Sequence, residues 1–124
     1  SGIEGVSGSS FNDTLTGSNF GDVLEGGAGN DTLRGNGGAD TFWYDLRSPI
    51  VTVNAVGAFI PDIGNDVIAD FKATDNDILL FVGIDSQTAQ AHIHHEVING
   101  STVLTSDLFT GSITLQNFTG ELIF

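Results

Sequence analysis

Residues 8–43 constrain this chain most, because they read in nines, in one register and without a gap. The four units are Gly8–Thr16, Gly17–Glu25, Gly26–Arg34 and Gly35–Trp43. The first place of each is glycine. The sixth is always aspartate: Asp13, Asp22, Asp31 and Asp40. The eighth is always large and apolar: Leu15, Leu24, Leu33 and Phe42. A short fixed period of this kind is the mark of stacked turns. The first six places are rich in Gly, Asn, Ser and Asp, which suits a tight loop. The last three suit a short strand whose middle side chain points inward. Two nines then make one full coil. Odd and even units line opposite sheets, so Leu15 and Leu33 face Leu24 and Phe42 across a thin core.

One apolar side chain per nine residues is too little burial to offset the ordering of nine residues of backbone. The same stacking brings rows of carboxylates together, which repel. A cation between the turns resolves both problems. Carboxylate and backbone carbonyl oxygens are hard ligands and favour Ca²⁺.

The unit Gly26–Arg34 fits the nonapeptide G-G-x-G-x-D-x-U-x at every fixed place. The stretch resembles an RTX parallel β-roll, as found in serralysin-type proteases, secreted lipases and the R-modules of alginate epimerases. The resemblance continues through Gly38–Tyr44, Asn65–Phe71 and Asp75–Leu80, and covers residues 8–81, about three fifths of the chain. It implies an all-β fold: a right-handed parallel β-roll of nonapeptide repeats capped by C-terminal antiparallel β-hairpins. One module spans 1–124, with the calcium roll at 1–46 and the capping β region at 47–124.

In that family each calcium lies between a turn and the turn two repeats later. The earlier turn supplies its second and fourth carbonyls and its Asp, and the later turn its first and third carbonyls and its Asp. Carried over, the first site is Ser9, Phe11 and Asp13 with Gly26, Ala28 and Asp31. The second is Ser18, Phe20 and Asp22 with Gly35, Gly37 and Asp40. A third half-site, Gly27, Gly29 and Asp31, awaits completion by Asp66 or Asp70. The expected cofactor is therefore Ca²⁺, at least two ions, with room for a third or fourth. Phe11 and Phe20 depart from the family glycine at the fourth place, which keeps the carbonyl and puts the loop shape in question.

The net charge of −13, with only Arg34, Arg47, Lys72 as bases, excludes a nucleic-acid partner and an anionic membrane surface. Calcium screening then becomes part of folding. The chain has no cysteine, so no disulfide holds it. The longest apolar run, Ile78 to Ile84, is too short to span a bilayer. No signal peptide is visible after Ser1-Gly2, which reads as an excised boundary in the tail of a larger protein. Extracellular calcium modules bind at about 10⁻⁴–10⁻³ M. Such a chain is expected to stay unfolded in a low-calcium cytosol and to fold outside a bacterial cell. The resemblance implies a type I secretion transporter as partner during export. It also implies an upstream catalytic or adhesive domain, with polysaccharide binding as the alternative role. The terminal Glu121–Phe124, one acid before three large apolar residues, is similar to the end of serralysin-type export substrates.

Elsewhere the readings are local. Residues 1–7 form a degenerate half-repeat with Glu4 at the acidic place and Val6 at the apolar one. Ile50 to Ile63 is either a flap over the roll or a ligand-contacting loop. Asn65 to Phe71 alternates, with Val67, Ala69 and Phe71 on one face and Asp66, Ile68 and Asp70 on the other. Ile78 to Val82 reads as a buried strand. Asn99-Gly100 predicts a type I′ hairpin between Ala91–Ile98 and Ser101–Thr105. A second hairpin turns at Thr110-Gly111, and a short helical turn falls near Ser86–Ala91. His92, His94 and Glu96 alternate onto one strand face, which is either a zinc site or a solvated surface. No Gly-x-Ser-x-Gly elbow or triad is present, and the expectation is a non-catalytic module.

Overall fold

The protein is described by a computed structural model covering residues 4–9, 11–18, 20–27, 29–46, 51–53, 59–72, 76–120 and 122. Among these residues eleven strands and one helix follow in order: β1 (Glu4–Ser7), β2 (Thr14–Thr16), β3 (Asp22–Glu25), β4 (Thr32–Arg34), β5 (Thr41–Asp45), β6 (Val51–Val53), β7 (Phe59–Ile68), β8 (Ile78–Val82), α1 (Ser86–His92), β9 (Ile93–Ile98), β10 (Ser101–Ser106) and β11 (Thr110–Leu115).

The strands form two sheets. One has the order β1-β3-β5-β8 and is parallel throughout. The other has the order β2-β4-β7-β11-β10-β9, with β6 added antiparallel to β7. Odd and even repeats do line opposite sheets. The register is the nonapeptide register doubled: Leu15 lies beside Leu33, and Leu24 beside Phe42. Leu24, Leu33 and Phe42 are fully buried, while Leu15, at the outer coil, is only partly so. The half-repeat at the start pairs in the same register. Glu4 pairs with Asp22 and Val6 with Leu24 along the β1–β3 register.

Parallel stacking continues past Leu46. β7 adds to β4 and β11 adds to β7, all parallel, while β8 adds to β5. Here the core thickens. Phe71, Leu79, Phe81, Phe109, Ile113 and Leu115 bury against the repeat side chains. Phe71 sits between Phe42 and Phe118, with ring centroids 6.1 Å and 5.0 Å away. Phe81 stacks between Tyr44 (5.8 Å) and Phe109 (6.2 Å). The apolar burial that the four nines lack is thus supplied by the C-terminal half.

Several local expectations hold and several need correction. The Asn99-Gly100 hairpin forms, with both residues at positive φ (53° and 80°), as a type I′ turn requires. A helix does occupy Ser86–His92, N-capped by Asp85, whose carboxylate accepts from Thr88 N at 2.7 Å. The second hairpin is displaced. Its reversal runs through Asp107–Phe109, and Gly111 lies inside β11, at a register shift against β7. Ile78–Val82 is half-buried, with Leu79 and Phe81 inward and Ile78 and Leu80 outward. Asp66 and Ile68 point inward together. A turn at Ala69-Asp70 then brings Phe71 inward as well, so the alternation predicted for 65–71 breaks at that turn. Of Ile50 to Ile63, β6 and the start of β7 pair with each other; 47–50 and 54–58 lie outside the described residues.

Gly64 shows why glycine is needed where coils touch. Its φ is +75°, and a Cβ there would collide with the Gly29 carbonyl oxygen; Gly111 stands in the same relation to Gly64. Both obstacles are backbone, which cannot swing aside. Gly64→Ala should therefore lower stability by about 2–4 kcal/mol, read as a depressed unfolding midpoint in saturating calcium. Gly100→Ala, at φ +80° with nothing within 4 Å of the added carbon, should cost only about 1 kcal/mol.

Candidate metal centre

The repeat aspartates form two columns, one along each edge of the roll. In each column the backbone N–H of one Asp donates to Oδ1 of the Asp on the next coil. Asp13 N donates to Asp31 and Asp22 N to Asp40, both at 2.9 Å. The columns do not stop at the fourth repeat. Asp31 N donates to Asp66 Oδ1 and Asp40 N to Asp77 Oδ1, again at 2.9 Å. One column is thus Asp13–Asp31–Asp66 and the other Asp22–Asp40–Asp77.

The glycine at the first place follows from this geometry. A Cβ on Gly8 would lie 2.6 Å from both Asp13 Oδ2 and the Gly26 carbonyl oxygen. On Gly17 it would lie 2.5 Å from Asp22 Oδ2 and 2.8 Å from the Gly35 carbonyl oxygen. On Gly26 and Gly35 it would strike Asp31 and Asp40 in the same way. The turn closes only because its first residue leaves room for its own carboxylate. Ser9 and Ser18, one place later, donate backbone N–H to Asp13 and Asp22 at 2.6 Å, with each hydroxyl also on the carboxylate.

The expected carbonyl ligands border the adjacent coil. A Cβ on Gly27 would lie 2.6 Å from the Ser9 carbonyl oxygen, and one on Gly29 would lie 2.6 Å from that of Phe11. The Phe20 carbonyl stands in the same way against Gly38, beside Gly37 on the bend of the fourth turn. The side chains of Phe11 and Phe20 point into solvent, 77% and 54% exposed, so the turns accommodate them without disturbing the stack. Ala28 lies outside the described residues.

The two candidates for the third half-site separate. Asp66 joins Asp31. Asp70 instead accepts from Gly35 N at 2.8 Å and Asn36 N at 2.7 Å, binding the fourth turn. Asp77 takes the matching rung of the other column, which the Asp75-Asn76-Asp77 turn alone did not distinguish from an ordinary polar loop. An asparagine ladder runs alongside and is not among the sequence expectations. Asn30 N donates to Asn12 Oδ1 (2.7 Å) and Asn65 N to Asn30 Oδ1 (2.8 Å). Its signal is the asparagine at the fifth place of the first and third units.

Burial makes these columns unstable as bare carboxylates. Asp22, Asp31, Asp40 and Asp66 are all at most 1% exposed. Asp31 Oδ2, Asp40 Oδ2 and Asp66 Oδ2 have no hydrogen-bond partner. Desolvation by burial pushes Asp31 up to about 6, Asp40 to about 7 and Asp66 to about 8, with neighbouring aspartates adding to the rise. The buried Tyr44 hydroxyl, next to Asp66 but without a well-formed hydrogen bond, is pushed well above its usual value, chiefly by burial. Orphaned buried oxygens, paired carboxylates and adjacent carbonyls fit a hard divalent cation. The side chains alone do not make the set. Among the described residues no three His, Cys, Asp or Glu side chains converge as a metal site, so backbone oxygens are indispensable to any Ca²⁺ here.

Among the described residues the histidines do not form a centre. His92 ends α1 and pairs with Asp107 (Nδ1–Oδ1 3.1 Å), leaving His94 and Glu96 alone on an exposed face of β9.

Comparison with known proteins agrees with this geometry. Residues 7–42 match the RTX calcium-binding nonapeptide repeat in four copies. The fold is similar to the extracellular lipase LipA of Serratia marcescens, with a TM-score of 0.58 and 20% identity, over 97% of this chain and 20% of the lipase. It is also similar to the AlgE6R3 subunit of the Azotobacter vinelandii mannuronan C5-epimerase, with a TM-score of 0.51 and 25% identity, over 93% of this chain and 71% of that one. Comparison with curated protein sequences gives no match. The chain spans about one fifth of the lipase it resembles. Residues 7–42 thus carry four copies of the RTX calcium-binding nonapeptide repeat, and those copies form the start of an all-β roll.

Proposed function

We propose that the chain is a non-catalytic module whose folding is driven by Ca²⁺ outside the cell, where it stabilises a larger secreted bacterial protein. The observation that carries this reading is the set of orphaned oxygens on the buried Asp31, Asp40 and Asp66 within the two aspartate columns. Asp13 with Asp31, and Asp22 with Asp40, hold the first two ions together with the carbonyls of Ser9, Phe11, Ser18, Phe20, Gly26 and Gly35. Ala28 and Gly37 complete those sets. Asp66 extends the first column over Gly27 and Gly29, and Asp77 extends the second. Asp70 orients the fourth turn rather than closing the third site. Export through a type I transporter before calcium is met, with the terminal Glu121–Phe124 as its address, accords with the resemblance. Of that tail only Leu122 is among the described residues. Equilibrium dialysis tests the reading. Two to four Ca²⁺ per chain are expected, and a chain that retains none at millimolar calcium overturns it.

A second reading, a glycan-binding accessory domain, is favoured by one feature. Trp43 faces outward on β5 beside the exposed Leu80, with exposed Ile78 adjacent, while Tyr44 is buried and unavailable. The net charge of −13 opposes an anionic chain such as mannuronan, so this face suits a neutral sugar ring. Calorimetry with neutral and uronic-acid oligosaccharides separates the two, and heat from neither class removes this reading.

A further inference from the structure

The sheet that carries β2 outgrows its partner and ends in β9, which has a neighbour on one side only among the described residues. From His94 to Ile98 every residue of β9 is exposed, with Val97 at 54% and Ile98 at 45%. The strand carries no Lys, Pro or bulge, the usual devices that keep an edge from pairing. We infer that β9 is a self-association edge that pairs antiparallel with β9 of a second copy about a two-fold axis at His95.

The register follows from the hairpin. The two-residue turn at Asn99-Gly100 makes Ile98 and Ser101 the hydrogen-bonded pair that closes it. Alternation then directs the main-chain groups of Glu96 and His94 toward β10 and those of Val97, His95 and Ile93 away from it. The Ile93 N–H is already bonded to the Ala89 carbonyl. The free edge therefore offers both groups of His95 and Val97 and the carbonyl of Ile93. A two-fold pairing must place one residue opposite itself. Centring on His95 puts outward groups opposite outward groups, with about four main-chain hydrogen bonds between copies.

The same register is the one the side chains favour. On the face shared with Val103 and Thr105, His94 of each copy meets Glu96 of the other, an imidazole against a carboxylate, twice. On the face shared with Leu104 and Thr102, Ile93 meets Val97, covering the more exposed of the two apolar residues. Centring on Glu96 instead opposes two carboxylates and gives up that complementarity. Charge pairing and hydrogen-bond direction thus select one arrangement, with a second copy of this chain as its occupant. Each copy carries the same excess of negative charge, and each bound Ca²⁺ removes two charges, so association belongs to the calcium-loaded form.

Sedimentation equilibrium in saturating calcium tests the inference, with circular dichroism confirming that each variant is folded. The wild type should pass from monomer to dimer as concentration rises. Glu96→Lys should weaken association at least tenfold, and adding His94→Glu to it should restore association. Because the chain has no cysteine, His95→Cys gives a further readout. Opposed residues in this register have Cα atoms about 5.5 Å apart, within disulfide range. That variant should oxidise to a covalent dimer, whereas Gln87→Cys on α1 should not. A wild type that stays monomeric throughout overturns the inference. So does a dimer indifferent to Glu96→Lys, or one in which residue 87 cross-links as readily as residue 95.

Discussion

Asp31→Asn is expected to raise the calcium concentration needed for folding far more than Asp13→Asn does. Asp31 is a shared rung. Its Oδ1 accepts from Asp13 N below it, and its own N–H donates to Asp66 above. Its remaining oxygen is buried without a partner. A cation on either side of this rung draws on the same carboxylate. Asparagine keeps the shape and an acceptor oxygen but removes the charge from both steps. A contact to a charged group is worth about 1.5–3 kcal/mol. Losing it twice should shift the calcium midpoint by roughly a hundredfold or more, against about tenfold for Asp13, which ends its column among the repeats. Asp40→Asn should behave like Asp31→Asn, since Asp40 links Asp22 to Asp77. Equal effects of Asp13 and Asp31 would mean that the steps beyond the fourth repeat bind nothing.

The second large effect is an inverted response to pH. Without metal, Asp31, Asp40 and Asp66 have folded values of about 6, 7 and 8 against an ordinary value of 3.8, mainly because burial disfavours their charge. A raised folded value means the native state holds more protons than the unfolded one. The stability this contributes is full below about pH 4 and is lost as pH rises through 6 to 8. In chelator, therefore, whatever fold persists should be firmer at pH 5 than at pH 8. The difference should reach several kcal/mol, because each tenfold gain in proton affinity on folding corresponds to about 1.4 kcal/mol. Calcium must displace those protons, so its apparent affinity should fall about tenfold per pH unit for each proton released as pH drops. Thermal unfolding at pH 5 and pH 8, each with chelator and with calcium, gives all four values. A chelated protein firmer at pH 8 would contradict the assigned burial of the columns.

Some of this is legible in the residues and some is not. The invariant glycines, Asp13 to Asp40 and the eighth-place side chains announce the coil, because a strict period leaves one stacking. Asp66 and Asp77 are harder to place. They follow Asp31 and Asp40 by 35 and 37 residues rather than 18, since an intervening segment breaks the count. Asp70, only four residues beyond Asp66, has an equal claim by composition and is separated from it only by the turn after Ile68. Gly111 looks like a turn residue, yet it is required inside a strand because the Gly64 backbone presses on it. His92 alternates correctly with His94 and Glu96, but Asp85 caps a helix that takes His92 out of the strand. For Asp66, Asp70, Asp77 and Gly111 a contact distant in sequence decides between two locally acceptable structures, and for His92 a local helix cap does.

The central claim is that calcium folds this chain. Far-ultraviolet circular dichroism tests it most directly, on the same sample in excess chelator and then in millimolar Ca²⁺ at neutral pH. A largely disordered spectrum should convert to β-structure as calcium is added and revert on chelation. Identical β-rich spectra in both conditions would contradict the claim.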